Sequence, residues 1–322
     1  MHAVQINEVG NPEVLKWAEV PSPLPGPGEL VVRLAAAGLN YIDTYHRRGM
    51  YPRELPFVPG LEGAGTVELL GAGVEDWRVG DRVAWADVGG SYAERVAVPV
   101  QRAVRVPAGL DLETAAAVML QGITAHYLAT DTFSLGPGHR CLVHAGAGGV
   151  GQLLIQIAKL LGAEVVATAG GDEKVALAAE AGADHVIDYT KVGFAEAVEA
   201  LLGPRSIDVV YDGVGAETFD DGLRLLRRRG LMVTFGNASG PVPPIAPLRL
   251  TEGGSLFLTR PAMKDYIATR VELESRVIDL FEWIAEERLQ VRIGARFALA
   301  EAAEAHSALQ SRATTGKVLL IP

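Results

Sequence analysis

The chain has 322 residues, 49% of them hydrophobic, and sets 29 Lys and Arg against 39 Asp and Glu for a formal net charge of −10. That length suffices for two domains with buried cores and no need of covalent staples, and the acidic balance argues against a general nucleic-acid binder while leaving room for a local basic pocket. No apolar run approaches the roughly 20 residues of a membrane span, the opening Met1-His2-Ala3-Val4-Gln5-Ile6 lacks the basic-then-apolar pattern of a signal peptide, and the single cysteine, Cys141, excludes an internal disulfide and a thiolate zinc cluster.

In chain order, residues 1–6 read as a first strand. The proline- and glycine-rich run from Pro21 to Gly28 excludes helix and central strand, so it is a surface connection. Strands are predicted at Glu29–Ala35, Gly63–Leu70, Asp81–Trp85 and Tyr92–Val98, giving a mostly β unit with little helix. From about Asp111 alanine-rich helical segments begin. From Arg140 the pattern alternates: strand 140–144, helix 150–161, strand 164–169, helix 172–181, strand 184–188, helix 193–202, strand 207–212, helix 216–228, strand 230–235. Such alternation predicts a doubly wound parallel sheet. A further strand over Ser255–Thr259, helices near 264–288 and 300–311, and a closing strand Lys317–Ile321 follow. The expected organisation is a second domain (123–265) inserted into a first made of 1–122 and 266–322, with the chemistry in the cleft between them.

Gly146-Ala147-Gly148-Gly149-Val150-Gly151 fits G-x-G-x-x-G between a strand and a helix. Glycines there let backbone amides approach phosphate oxygens, and the helix start faces them with partial positive charge, so a dinucleotide's pyrophosphate is the expected ligand. The plainer alternative is a tight turn that packs helix on strand. The next strand ends in Ala169-Gly170-Gly171, without the carboxylate that bonds both ribose hydroxyls in NAD enzymes. Lys174 follows in the first helical turn and Tyr189 after the third strand, offering a ribose phosphate a cation and a hydroxyl; a solvated helix residue is the other reading of Lys174. Asp172 and Glu173 are expected at the helix start, with Asp172 as its cap. Gly213, Gly215, Phe235 and Gly236 close two more strands, where a nicotinamide can lie flat or ordinary turn chemistry can apply. Cys141, inside a strand, is expected to be buried and inert, which suits a reducing, cytoplasmic setting. His126, His144 and His306 lack metal-ligand spacing and read as structural. Arg227-Arg228-Arg229 reads as a helix C-terminus.

Several segments appear together in register: Gly38-Leu39-Asn40-Tyr41-Ile42-Asp43, Gly49-Met50-Tyr51-Pro52, Pro59-Gly60-Leu61-Glu62-Gly63-Ala64-Gly65, Gly80-Asp81-Arg82-Val83, His144 to Gly151, Phe235 to Gly240, Gly254 to Pro261 and Ser311 to Lys317. Over nearly the whole chain they resemble the NADPH:quinone oxidoreductase (zeta-crystallin-like), zinc-free branch of the medium-chain dehydrogenase/reductase superfamily. The resemblance implies an α/β fold, a GroES-like mostly-β domain with an inserted Rossmann doubly wound parallel-sheet domain. It also implies a homodimer, here through the sheet edge near Ser255–Thr259, and hydride transfer from NADPH to quinones or other electron-poor conjugated acceptors. Zinc-dependent relatives have a cysteine at Asn40 and a histidine at Leu61; neither residue here suits zinc.

By the same resemblance, Asn40, Tyr51 and Thr124 surround the nicotinamide, Gly170, Lys174 and Tyr189 hold the 2′-phosphate, and Phe235, Gly316 and Lys317 flank the cofactor. Gly171 departs from the family's Ser or Thr and Gly146 from its Ala. Asn40 and Tyr51 are the expected orienting and oxygen-contacting pair, with no dedicated acid. The residues also admit plainer readings: Asn40 as a satisfier of backbone groups, Tyr51 as a loop aromatic covering the core, Thr124 as a helix residue bonding its preceding turn. The expected substrate is a small quinone or enone, with no nucleic acid or membrane partner. Reduction of enones or reactive aldehydes on the same scaffold, or non-catalytic NADPH binding as in crystallins, are the alternatives.

Overall fold

The computed structural model describes residues 1–322. The elements in chain order are β1 (His2–Gln5), β2 (Lys16–Glu19), β3 (Glu29–Leu39), α1 (Tyr41–Arg47), β4 (Glu62–Leu70), β5 (Arg82–Ala86), β6 (Arg95–Pro99), β7 (Ala103–Arg105) and α2 (Leu112–Tyr127). Next come β8 (Arg140–Val143), α3 (Gly149–Leu160), β9 (Glu164–Ala169), α4 (Asp172–Glu180), β10 (His185–Asp188), α5 (Phe194–Leu202), β11 (Ile207–Asp212), α6 (Phe219–Leu225), β12 (Leu226–Thr234), α7 (Leu248–Glu252) and β13 (Phe257–Thr259). The chain ends with α8 (Met263–Tyr266), α9 (Arg270–Ala285), β14 (Ile293–Ala298), α10 (Ala302–Gln310) and β15 (Lys317–Ile321). No helix is long and apolar enough to cross a membrane. Two compact units form: Met1–Ile123 with Ile267–Pro322, and Thr124–Tyr266.

The first unit is built on β3. Its eleven residues pair with β4 along most of their length, with β6 over Glu29–Arg33 and with β15 over Ala37–Leu39. One strand can serve three partners because it bends, and the register against β4 slips at Val31/Val32 and at Leu34/Ala36. The full sheet runs β14-β15-β3-β4-β5-β7, with β6 on β3. Its core holds Leu30, Val32, Trp85, Val98 and Leu320. The helix α9 starts at a reciprocal cap: the Thr269 hydroxyl accepts from the Glu272 amide at 3.2 Å and the Glu272 carboxylate accepts from the Thr269 amide at 2.8 Å.

The second unit is a six-stranded, all-parallel sheet in the order β10-β9-β8-β11-β12-β13. Numbered within the unit this is 3-2-1-4-5-6, whose order reverses between β8 and β11, the crevice where open α/β sheets take ligands. Strands covered on both faces need continuous apolar runs; Cys141-Leu142-Val143, Val165-Val166-Ala167 and Val209-Val210-Tyr211 are such runs, all buried.

Four local expectations need correction. The helix expected over 216–228 is only Phe219–Leu225, and Arg227-Arg228-Arg229 lie in β12, not at a helix end. Arg229 turns to φ 59° and donates its amide to Gly254 O at 2.9 Å, while the Arg227 guanidinium pairs with Asp208. A tertiary partner for the arginine and an early strand override helical propensity here. The cap of α4 is Gly171 at φ 85°, with Asp172 as the first helical residue. The strand expected from Ser255 starts at Phe257, because Ser255 sits at φ 57°. The strand expected over Tyr92–Val98 is Arg95–Pro99, since Tyr92 and Ala93 leave the ladder to bond β1. The strands β2 and β14 and the helix α1 were not anticipated; each is short or lacks a clean period.

Candidate active site

In the second unit β8 runs straight into the glycine loop. The His144 amide still donates to Tyr211 O at 3.1 Å. Ala145 then takes φ 54°, and the Gly146 amide bonds Thr168 O on β9 at 2.9 Å. Gln152 is the first amide of α3 to find a helical carbonyl, Gly148 O at 2.9 Å, and its side chain pins Ala147 O at 2.7 Å. The first-turn amides of Gly149, Val150 and Gly151 therefore face off the helix start, as a bound anion requires. The glycines are needed for space. A Cβ on Gly151 would collide with Ala145 O, one on Gly148 would lie 3.1 Å from the same oxygen, and one on Gly146 would lie 3.0 Å from Ala167 Cβ. The loop fits a pyrophosphate.

At the end of β9 a Cβ on Gly170 would lie 2.6 Å from the Tyr189 hydroxyl, so Tyr189 stands directly over Gly170. Lys174 lies half-buried in the first turn of α4. The carboxylates nearby are already engaged. Asp188 accepts from the Thr190 hydroxyl at 2.6 Å and from the Gly171 amide at 3.1 Å, bonds that hold its carboxyl well below the usual range. Asp172 pairs with Lys191. At the ends of β11 and β12, a Cβ on Gly213 would touch the Phe235 ring at 3.1 Å, and one on Gly236 would collide with Gly213 O. Arg260 clamps this corner by donating to Thr234 O at 2.9 Å and Gly236 O at 3.1 Å. Buried Asp212 ties the same turn, accepting from the Val214 amide at 2.7 Å and the Thr218 hydroxyl at 2.9 Å. Thr124 is buried in α2. The fold thus brings together the loop, the Gly170–Tyr189 corner and the Gly213–Phe235–Gly236 corner at the carboxyl ends of neighbouring strands.

In the first unit Asn40 sits between β3 and α1, nearly wholly buried. Its Nδ2 donates to Glu62 Oε1 at 2.6 Å, and its Oδ1 accepts from Lys317 Nζ at 3.0 Å and Gln121 Nε2 at 3.1 Å. Glu62 and Lys317 form a buried ion pair. Burial pulls the Lys317 ammonium pKa down, against the pull of Glu62. The Lys317 side chain is thus committed to Glu62 and Asn40, and its backbone amide donates to Arg292 O at 2.8 Å; Gly316 beside it stands at φ 59°. Tyr51 packs edge-on against Tyr45 at 5.4 Å and His46 at 6.2 Å. The Asn40 amide N–H donates to Asp43 Oδ2 at 2.9 Å. That oxygen also accepts from the Tyr92 hydroxyl at 3.0 Å, which contacts His306, which contacts Arg47.

Two family models match: an alcohol dehydrogenase GroES-like domain over residues 26–108 and a zinc-binding dehydrogenase over residues 149–284. A quinone oxidoreductase of Pseudomonas aeruginosa is 44% identical over 321 residues, covering 99% of each chain. The chain belongs to the quinone oxidoreductase family. Among solved family structures, that of Escherichia coli quinone oxidoreductase complexed with NADPH superposes with a TM-score of 0.98 at 40% identity, covering 100% of both chains. A mycobacterial protein complexed with NADPH gives 0.97 at 46% identity, again over 100% of both.

Sequence reasoning missed Glu62, Asp43 and Gln121, which bond Asn40 in the first unit, and Asp212 and Arg260, which tie the strand ends in the second. Glu62 carried a readable signal: a carboxylate inside a glycine-rich strand, between Leu61 and Gly63, has no solvent-facing reason to be there. His144 is braced by Thr168 Oγ1 at 2.9 Å and His306 lies buried between Arg47 and Tyr92, as structural histidines. No group of three or more His, Cys, Asp or Glu side chains is placed to hold a metal ion.

Burial pushes the Asp43 carboxyl up to about 7, against lowering by the Asn40 amide, the Tyr92 hydroxyl and Lys317, and with Glu62 adding to the rise. A carboxyl raised on folding gives stability that is full below its unfolded pKa and lost as pH rises through the folded one. Asp43→Asn, which mimics the protonated form, should therefore gain stability relative to the wild type between pH 5 and pH 8. Chemical denaturation at the two pH values checks this, and a constant difference would contradict it.

Proposed function

We propose that this chain is an NADPH-dependent quinone reductase that works without a metal ion. Membership of the quinone oxidoreductase family supports the reaction class. The observation that carries the cofactor choice is the end of β9, where Gly170 offers no carboxylate, the Tyr189 hydroxyl stands over it and the neighbouring acids Asp172 and Asp188 are paired with Lys191. A phosphate on the ribose there meets acids already paired with Lys191 and has Lys174 within the same helical turn, the remaining acid, Glu173, being exposed at the helix start. When bound, NADPH supplies a hydride from C4 of its nicotinamide.

The chain's own residues do the rest. The first-turn amides of α3 hold the pyrophosphate. Gly213, Phe235, Gly236 and Thr124 give the nicotinamide half a close-fitting bed, flanked by Gly316 and Lys317. Asn40 donates a hydrogen bond to the acceptor oxygen that gains charge, and Tyr51 orients the ring. Water supplies the single proton that completes the reduction. The donor set supports the metal-free reading, since Asn40 and Leu61 offer zinc neither thiolate nor imidazole. The single cysteine, fully buried in β8 with its thiol pushed up to about 12, suits a cytoplasmic setting. The two units are read as an acceptor-side domain and an inserted cofactor domain.

NADPH oxidation followed at 340 nm across a panel of quinones, enones and aldehydes tests the activity. Turnover is expected with quinones; turnover with enones alone would move the substrate class, and none with any acceptor would leave only a binding protein. Lys174→Ala should weaken NADPH binding by about 10- to 150-fold, the worth of one charge-assisted hydrogen bond, and NADH binding far less. Equal loss for both would remove Lys174 from the 2′-phosphate.

The strand β13 is one of the two edges of its sheet, and its Phe257 side chain is exposed. Such an edge invites pairing, and a homodimer with a continuous sheet is the assembly proposed. Light scattering at micromolar concentration should give twice the 34.1 kDa chain mass; a monomer would refute it.

A further inference from the structure

The amide of Asn40 has two orientations related by a half-turn about its last bond, and they present opposite polarity to anything that approaches it. Its surroundings permit one. Lys317 and the Gln121 amide nitrogen can only donate to it, at 3.0 and 3.1 Å. The Glu62 carboxylate can only accept, at 2.6 Å. Turning the amide over would set oxygen against carboxylate and NH2 against ammonium.

The second hydrogen of Asn40 Nδ2 has only Gly38 O, 3.4 Å away and beyond the good range for N–H···O. That hydrogen is the one an incoming carbonyl oxygen can take. The Leu120 amide fixes the other Glu62 oxygen at 2.6 Å. Gly38 leaves the space, since a Cβ there would collide with the Glu62 carboxylate and lie 2.6 Å from Lys317 Cε.

We propose that Glu62 and Lys317 are positioning residues for the reduction: together they lock the Asn40 amide so that it is an obligate hydrogen-bond donor to the acceptor's oxygen. This rests on the quinone-reductase reading for its kinetic consequence, but the lock itself is a property of the free protein. Because the ion pair acts through Asn40, its removal should matter only when Asn40 is present.

The test is a double-mutant cycle with 1,4-benzoquinone as the acceptor. E62Q/K317M removes both charges without stranding either. It should lower kcat by about tenfold or more, in keeping with loss of an oriented donor, and change the KM for NADPH by less than about twofold. The same two substitutions placed on N40A should lower kcat by less than about twofold further. An unchanged kcat in the first background, or an equal loss in both, would overturn the proposal. If circular dichroism shows E62Q/K317M unfolded, E62Q/K317Q, which likewise strands neither charge and lets the amide turn over, takes its place in the cycle.

A second readout needs no turnover. In 15N-labelled protein without cofactor, the Asn40 side-chain amide protons should exchange slowly with water, and the variant should lose that protection. Retained protection would sink the lock. A wild type inert to every quinone would instead sink the proposed activity, leaving this exchange measurement to decide the inference.

Discussion

The first unit is organised around a charge pair placed where water cannot reach it. Glu62 and Lys317 come from β4 and β15, the two strands that flank β3, and meet across the single residue of β3 that has no side chain, Gly38. Removing one partner of such a pair costs about 3–5 kcal/mol, because the other is left charged and dry. Further bonds brace it: the Leu120 amide and Asn40 Nδ2 donate to the carboxylate, and the ammonium donates to Asn40 Oδ1. The pair also fastens the final strand, near the C-terminus of the chain, to residues some 255 positions earlier. Apolar packing alone would hold the strands together, but it would not fix which way an amide points.

The polar line continues from Asn40 through Asp43, Tyr92 and His306 to Arg47. Within this buried chain an unmatched group costs more than a matched one gives, and Asp43 Oδ1 is the one carboxylate oxygen left without a partner. The line converts the beginning of α1 from a loosely capped turn into a fixed point. The second unit solves a different problem by different means. It needs bare backbone rather than side chains, so glycine recurs at the end of each strand that meets the crevice, and the fixed groups there, Asp212, Arg260 and Gln152, bind loop amides and carbonyls.

How much of this was readable beforehand follows from the range of the forces involved. The alternating strands and helices of the second unit are local patterns, and β9 and β11 stand where their apolar runs placed them. The glycine loop was readable because strand, turn and helix adjoin in sequence. Arg227–Arg229 misled because three cations beside a helical run suit a helix end, and nothing local announces that Asp208 waits across the sheet. The commitment of Lys317 was hidden for the same reason: its family motif points to the cofactor, while its partner Glu62 lies in a distant strand. Asn40 was legible as a candidate, but its orientation was not, since that is set by three side chains from three separate elements.

The contact between Gly170 and Tyr189 has a consequence for how cofactor choice can change within this fold. The tyrosine ring fills the volume that any side chain at position 170 would need. An acid introduced there to favour NADH would have to displace it, so the two positions form one evolutionary step rather than two. A side chain at position 170 would have to arrive together with a change at 189 that moves or shrinks the ring.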